Sequence, residues 1–458
     1  MAIQTTNPAT GEVLKTFDAL SAEEIEAKLA KAAEAFAVTR RASFAERAGW
    51  LRAAADLLDA EQDDIAVVMT TEMGKTVKSA RAEAAKCATG LRFYAEHGEA
   101  FLADEVLDDP GAVNASQAYC RYQPLGIVLA VMPWNFPLWQ VIRFAAPALM
   151  AGNVGLLKHA SNVPQSALYL EDLFRRSGAP EGAFQTLLIG AGAVEAVLRD
   201  PRVQAATVTG SEPAGRSVAS ICGDEVKHTV LELGGSDAYV VMPSADIAQA
   251  AKIAVTARCQ NNGQSCIAAK RFIVHQDAFD EFAQHFVDGV AALKVGDPLD
   301  EATDIGPIAT EQGRQDLVDL VEDAVAHGAT VRCGGASVDG PGWFYEPTVI
   351  TDITPAMRLH LEEVFGPVAT LYRVADIDEA IELANVTSFG LGSNAWTTDA
   401  PEQERFIRDL DAGAVFINGM TTSYPQLPFG GVKRSGTGRE LAALGIKEFC
   451  NAKTVWVG

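Results

Sequence analysis

At 458 residues the chain is too long for one ordinary hydrophobic core, which predicts two large domains. Its 48% hydrophobic and 21% charged residues are those of a soluble globular protein, and a net charge of −23 argues against binding nucleic acid through a basic face, which needs clustered Lys and Arg. The opening stretch, Met1 to Val13, has no basic start followed by an apolar core, and no apolar run approaches the roughly 18 to 20 residues of a membrane helix, so a cytoplasmic compartment and no membrane partner are expected.

Seven cysteines, Cys87, Cys120, Cys222, Cys259, Cys266, Cys333 and Cys450, are scattered, with no C-x-x-C pair and no Cys/His zinc spacing. Reduced, independent thiols and no metal site are expected.

From Ser21 to His97 the pattern is helical, opening on the capping box Ser21-Ala-Glu-Glu24 and continuing through Phe44 to Met69 and Thr70 to Tyr94. Gly74-Lys75-Thr76 is like the tail of a phosphate-binding loop, but Met69 stands where the first glycine belongs, so the motif fails. An irregular Asp/Pro/Gly stretch between Leu107 and Tyr122 ends in alternation that suggests a strand or hairpin, and a strand over Gly126 to Val131 follows. That strand runs into Pro133-Trp-Asn-Phe-Pro137, whose two prolines stop regular structure, so Asn135 sits in a constrained turn before a helix from Leu138 to Ala151.

Short apolar strands then alternate with helices of about ten residues, up to a strand from Lys227 to Leu231, which means a doubly wound parallel sheet with its ligand at the carboxyl ends of the strands. Two glycine patterns compete for an anion. Gly190-Ala-Gly192 reads as a turn, because Glu195 occupies the third glycine position. Gly210-Ser-Glu-Pro-Ala-Gly215 follows a strand and opens a helix, aiming backbone N–H groups at an anion, although as a pattern alone it is a weak signal. Glu232-Leu-Gly-Gly235 ends this half and reads either as a sharp turn or as a mobile carboxylate beside a ligand.

A helix from Ile247 to Cys259 leads into the polar bend Asn261-Asn-Gly-Gln-Ser-Cys266, ahead of a strand from Arg271 to His275. A packing cysteine more often sits in an apolar run, so this thiol is presented rather than buried. Taken alone, the bend leaves Cys266 open between a nucleophile and a loop cysteine without a role. Strand and helix alternation resumes to a strand over Ala414 to Ile417, which makes a second α/β domain.

Together, Pro133-Trp-Asn-Phe-Pro137, Lys158 with Ser161, Gly210-x4-Gly215, Glu232-Leu-Gly-Gly235, Gly263-Gln-Ser-Cys266, Glu362-Glu-Val-Phe-Gly-Pro367 and Pro428-Phe-Gly-Gly431 with Ser435-Gly-x-Gly-Arg-Glu440 resemble the aldehyde dehydrogenase superfamily in its own motif order, over essentially the whole chain. The resemblance implies an α/β fold of two doubly wound, Rossmann-like domains plus a small β oligomerisation element. Residues 1–106 and 123–234 would bind the dinucleotide, 235–440 would form the catalytic domain, and 107–122 with 441–458 would assemble a homodimer or homotetramer. The alternating C-terminal strand Thr454 to Val457, which shows no partner in sequence, would be the open edge.

The resemblance also implies roles. Cys266 would add to the aldehyde as a thiolate, Asn135 would donate to the thiohemiacetal oxyanion, and Glu232 would deprotonate water to release the acid from a thioester. Trp134, Gly210, Ser211, Gly215, Glu363 and Phe365 would hold the dinucleotide, with Lys158 and Ser161 at its adenine ribose. NAD-specific relatives often carry Glu at the position of Ser161, so a small neutral side chain beside a lysine predicts NADP in preference to NAD.

Phe136, Trp139, Arg143, Ser423 and Phe429 would line the substrate tunnel. Arg143 would be its carboxylate clamp, as in relatives acting on succinate semialdehyde. Gln260 departs from that branch, where a second arginine is common, and His159 stands where relatives have proline. Ala268, two residues after the nucleophile, leaves no cysteine for a local disulfide switch. Alternative readings are oxidation of another short aldehyde or acid semialdehyde such as glutarate semialdehyde, a CoA-acylating enzyme, and a catalytically silent scaffold.

Overall fold

The structure is a computed structural model that describes residues 2–458. Two mainly parallel sheets carry it, one of six strands and one of seven. In the first, Ile127–Met132 lies at the centre between Val154–His159 and Val203–Thr209, and His228–Glu232 lies outside the latter. In the second, Asp237–Val241 lies between Ala269–His275 and Gly392–Trp396. Central strands such as Ile127–Met132 and Ala269–His275 are buried along nearly their whole length, as a sheet covered by helices on both faces requires.

The chain leaves the first sheet at Glu232 and enters the second at Asp237. A late segment, Gly436–Thr437, returns to pair antiparallel with His228–Glu232 and so belongs to the first sheet's edge. The C-terminal strand Cys450–Val457 pairs along its full length with Gln117–Pro124, forming a three-stranded sheet with Glu105–Val106. The sequence shows no partner for this strand because its partner lies more than 300 residues earlier in the chain. Among the described residues its outer edge is unpaired.

The Ser21 capping box forms as expected: Ser21 N–H donates to the Glu24 carboxylate at 2.8 Å and Glu24 N–H to Ser21 Oγ at 3.2 Å. The helix expected over Thr70 to Tyr94 is instead two helices, Gln62–Met73 and Val77–Phe101. The break is at Gly74, whose φ of 86° is the left-handed C-cap conformation that glycine adopts without a Cβ penalty. No helix among the described residues is long and apolar enough to cross a membrane.

Candidate active site

The helix Ile247–Cys259 ends in a bend in which Asn261, Asn262 and Gly263 all take positive φ, at 55°, 56° and 71°. Two non-glycine residues in that region cost on the order of 1 kcal/mol each, so the surroundings must hold them. The Asn262 side-chain amide donates to the carbonyls of Gly74 and Pro307 at 2.8 and 3.0 Å, and its oxygen accepts from Gly306 N–H at 2.9 Å. A Cβ on Gly263 would collide with the Gly366 carbonyl. Fully buried Arg258 donates to the carbonyls of Gly263 at 2.8 Å and Ala269 at 3.0 Å, and also to Gly366. Lys270 donates to the Ser265 and Cys266 carbonyls at 2.9 and 2.6 Å. The nucleophile loop is therefore fastened on both sides of Cys266.

Asn135 comes from the other sheet, in the Pro133 to Pro137 turn, and is 4% exposed. Its side-chain amide donates to the Gln264 carbonyl at 3.2 Å, and Asn261 donates back to the Asn135 carbonyl at 2.8 Å. His159, which stands where relatives have proline, is a buried strut under this turn. Its Nδ1 accepts from Ala160 N–H at 3.0 Å, which leaves the proton on Nε2 to donate to the Pro137 carbonyl at 2.9 Å. Burial pushes its pKa down to about 4, so the ring stays neutral.

A third support comes from two residues whose role is invisible in sequence. The carboxylate of Glu83 accepts from the Leu138 and Trp139 N–H groups at 2.8 and 2.9 Å, capping the helix Trp139–Ala151, and forms a fully buried ion pair with Lys75. Lys75, the residue that suggested a phosphate loop, also lies 4.3 Å from the Phe136 ring centroid. It is structural: its charge is matched and it does not line the cavities around Cys266.

Two cavities meet at half-buried Cys266. The first, of about 190 Å³, is lined by Phe136, Trp139, Arg143, Ser423 and Phe429, together with Lys86, Gln140 and Gln260. All five expected substrate residues thus fall in one place. The second, of about 240 Å³, is lined by Trp134, Asn135, Gly210, Ser211, Gly234, Glu363 and Phe365. Trp134 and Phe365 meet edge to face, ring centroids 5.7 Å apart, and Glu363 lies 3.2 Å from Lys270 Nζ. A Cβ on Gly210 would meet nothing within 4 Å, so open space lies in front of the helix Glu212–Asp224. Ser211, the N-cap, leaves its side chain unused by that helix, so the N-terminal N–H groups are available to an anion.

Several expectations change in detail. Gly215 does not line the cavity; a Cβ there would come within 2.6 Å of Leu233, so its glycine serves the packing of helix on loop. Lys158 and Ser161 also lie outside both cavities, at the end of the strand Val154–His159, where Lys158 is opposite Val131 in the strand that leads to Trp134. Burial lowers the pKa of Lys158, and no carboxylate pairs with it.

Arg143 is not the tunnel's unmatched cation: its guanidinium forms a buried ion pair with Glu440, lies 4.5 Å over Phe429 and donates to Gln140 at 2.7 Å. Glu232 is not among the residues that line the cavities around Cys266. Its carboxylate is buried beside Gly430 with neither oxygen hydrogen-bonded. Burial, then the Glu440 charge, pushes its pKa well above the carboxylate range, while Arg143 pulls the other way. Burial raises the Glu440 carboxyl as well, with Arg143 pulling it back, so the two buried acids share one guanidinium. Burial likewise pushes the Cys266 thiol up to about 12, opposed by Arg143 and Lys270.

The feature that sequence reasoning missed is Lys86, on the helix Val77–Phe101. It lines the first cavity, 2.8 Å from Ser423 Oγ and 4.5 Å from the Trp139 ring centroid. Helical periodicity alone marks it as a polar-face lysine, and no local motif signals that this face meets the tunnel.

The chain is 68% identical over 459 residues to a succinate-semialdehyde dehydrogenase (NADP+) of Mycobacterium avium, with 100% of this chain and 97% of the relative covered. It is 66% identical over 457 residues to succinate-semialdehyde dehydrogenase (NADP+) 1 of Mycobacterium tuberculosis, with both chains fully covered. The crystal structure of a succinic semialdehyde dehydrogenase from Streptococcus pyogenes, in complex with NADP+, superposes with a TM-score of 0.96 at 37% identity, over 100% of both chains. The model of the aldehyde dehydrogenase family matches residues 1–455, and the chain belongs to that family.

Proposed function

We propose that this protein oxidises succinate semialdehyde to succinate with NADP as the electron acceptor. The observation that carries the reading is the position of Cys266 between two cavities, one lined by Asn135, Gly210, Ser211 and Glu363 and the other by aromatic and cationic side chains. The relatives in Mycobacterium and Streptococcus that bear this activity in their names support it.

The thiol proton of Cys266 passes to Glu232, which releases it to solvent, and the resulting thiolate adds to the aldehyde carbon, forming a C–S bond while the carbonyl π electrons pass to oxygen. Asn135 Nδ2 has two hydrogens; with one on Gln264, the other is free for the oxyanion, beside the Cys266 N–H. The residues of the second cavity fit the dinucleotide: open space before a helix start, an unused N-cap side chain and the edge-to-face pair Trp134 and Phe365. When bound, the nicotinamide supplies the hydride-accepting carbon. Collapse of the oxyanion expels the hydride and leaves a thioester on Cys266, which water hydrolyses, releasing the acid and the thiolate.

Glu232 takes the proton from that water after leaving its buried pocket, where its protonated form is favoured; in contact with solvent it regains an ordinary carboxylate pKa. Gly234 and Gly235, immediately beyond it, permit the backbone adjustment. Lys158 without a carboxylate partner, beside neutral Ser161, welcomes a 2′-phosphate and gives the preference for NADP over NAD.

A panel of aldehydes crossed with NADP and NAD tests the reading. Succinate semialdehyde with NADP should give the highest kcat/KM; a simple aliphatic aldehyde or NAD ahead of it would overturn the assignment. The unpaired outer edge of Cys450–Val457 suits pairing with a second copy, which makes a homodimer or homotetramer. Light scattering on the purified protein should return a multimer mass.

A further inference from the structure

Two successive peptide carbonyls ahead of Cys266 are each held by two donors. The Gln264 carbonyl accepts from Asn135 Nδ2 at 3.2 Å and from Asn261 Nδ2 at 3.0 Å. The Ser265 carbonyl accepts from Lys270 Nζ at 2.9 Å and from Ala268 N–H at 3.1 Å. The second pair bears on the chemistry, because the Ser265 carbonyl and the Cys266 N–H belong to one peptide unit. No carbonyl among the described residues accepts from that N–H.

The peptide is trans, so its N–H points opposite to its carbonyl and away from Lys270. Lys270 is 1% exposed and lines neither cavity. Around its nitrogen lie the Ser265 carbonyl, the Cys266 carbonyl at 2.6 Å and the Glu363 carboxylate at 3.2 Å. Every neighbour is an acceptor, which suits the three hydrogens of an ammonium and leaves nothing for an amine lone pair. A cation on a carbonyl oxygen draws electron density through the conjugated amide and leaves the N–H at its other end more positive. In a buried site the same charge is also felt by an anion beyond that N–H.

We propose that Lys270 is a positioning residue for the oxyanion: through the Ser265–Cys266 peptide it fixes the direction of the Cys266 N–H and strengthens it as a donor to the thiohemiacetal oxygen. This rests on the thiohemiacetal chemistry above and not on which aldehyde is oxidised. As the C–S bond forms, the carbonyl π pair moves to oxygen, and no proton leaves the N–H or the ammonium. Lys270 acts by charge and geometry alone. Its charge also favours the Cys266 thiolate against burial, so thiol ionisation and oxyanion stabilisation have to be read separately.

The experiment uses the purified full-length enzyme and its Lys270→Met and Lys270→Arg variants, at one pH with NADP saturating. First-turnover NADPH formation from succinate semialdehyde and from butanal reads the step that makes the oxyanion. Alkylation of the Cys266 peptide by iodoacetamide, without aldehyde, reads the thiolate alone: a C–S bond forms, iodide leaves and no oxyanion appears. The ratio of the two rates cancels the thiolate population. Deleting an oxyanion donor costs about 10²- to 10³-fold, so weakening one should lower the ratio by about 10-fold in Lys270→Met. The fall should be the same for both aldehydes, and Lys270→Arg should restore most of it.

Equal losses of oxidation and alkylation would mean that Lys270 only ionises the thiol, and unchanged rates that it only packs the loop; either overturns the assignment. Should Lys270→Met fail to fold, Lys270→Gln keeps a donor without the charge, and the same fall in ratio is required of it. First-turnover oxidation that survives in Cys266→Ala would sink the thiohemiacetal reading itself. Loss in Cys266→Ala with an unchanged ratio in Lys270→Met removes Lys270 alone.

Discussion

The Asn135 side-chain amide donates to the carbonyl of Gln264 at 3.2 Å, tying a turn of one sheet to the loop that presents Cys266 from the other. That bond holds the amide in place and leaves its second hydrogen for the oxyanion proposed above, and a donor held in place before reaction is the effective kind. Asn135→Ala should lower kcat by about 10²- to 10³-fold. Steady-state kinetics would check it; a loss confined to KM would mean that the amide only packs the loop.

Beneath that turn, Glu83 and Lys75 are paired at 2% and 0% exposure, with Glu83 also capping two backbone N–H groups. Breaking one side of such a pair costs about 3–5 kcal/mol, because the other charge is left buried. Glu83→Gln should accordingly lower thermal stability strongly. In the Lys75→Met, Glu83→Gln double variant part of the loss should return, and a melting curve no better than that of Glu83→Gln alone would contradict the account.

Ser161 stands in the turn two residues beyond the strand that carries Lys158. A glutamate there would accept from the ribose hydroxyls of NAD and repel a 2′-phosphate. Ser161→Glu is expected to shift the ratio of kcat/KM from NADP toward NAD, and an unaltered ratio would place the 2′-phosphate elsewhere.

The doubly wound fold, the bend at Cys266 and the turn at Asn135 are legible along the chain because their causes are local. Strand and helix periods, two prolines around Asn135 and a glycine beside two asparagines are all short-range signals. The break at Gly74 is of the same local kind, yet the helical composition on both sides hides it.

What only the tertiary structure decided is which charges are already satisfied. Arg143 reads as a free cation in sequence, but its partner Glu440 arrives from the far end of the chain. Glu232 reads as a ready base, but burial and the Glu440 charge beside it favour its protonated form, and neither of its oxygens is hydrogen-bonded. Lys86 reads as an ordinary helix-surface lysine, and its contact with Ser423 spans 337 residues. Charge type is written in the residue; charge balance depends on neighbours and burial, and those exist only once the two sheets have come together around Cys266.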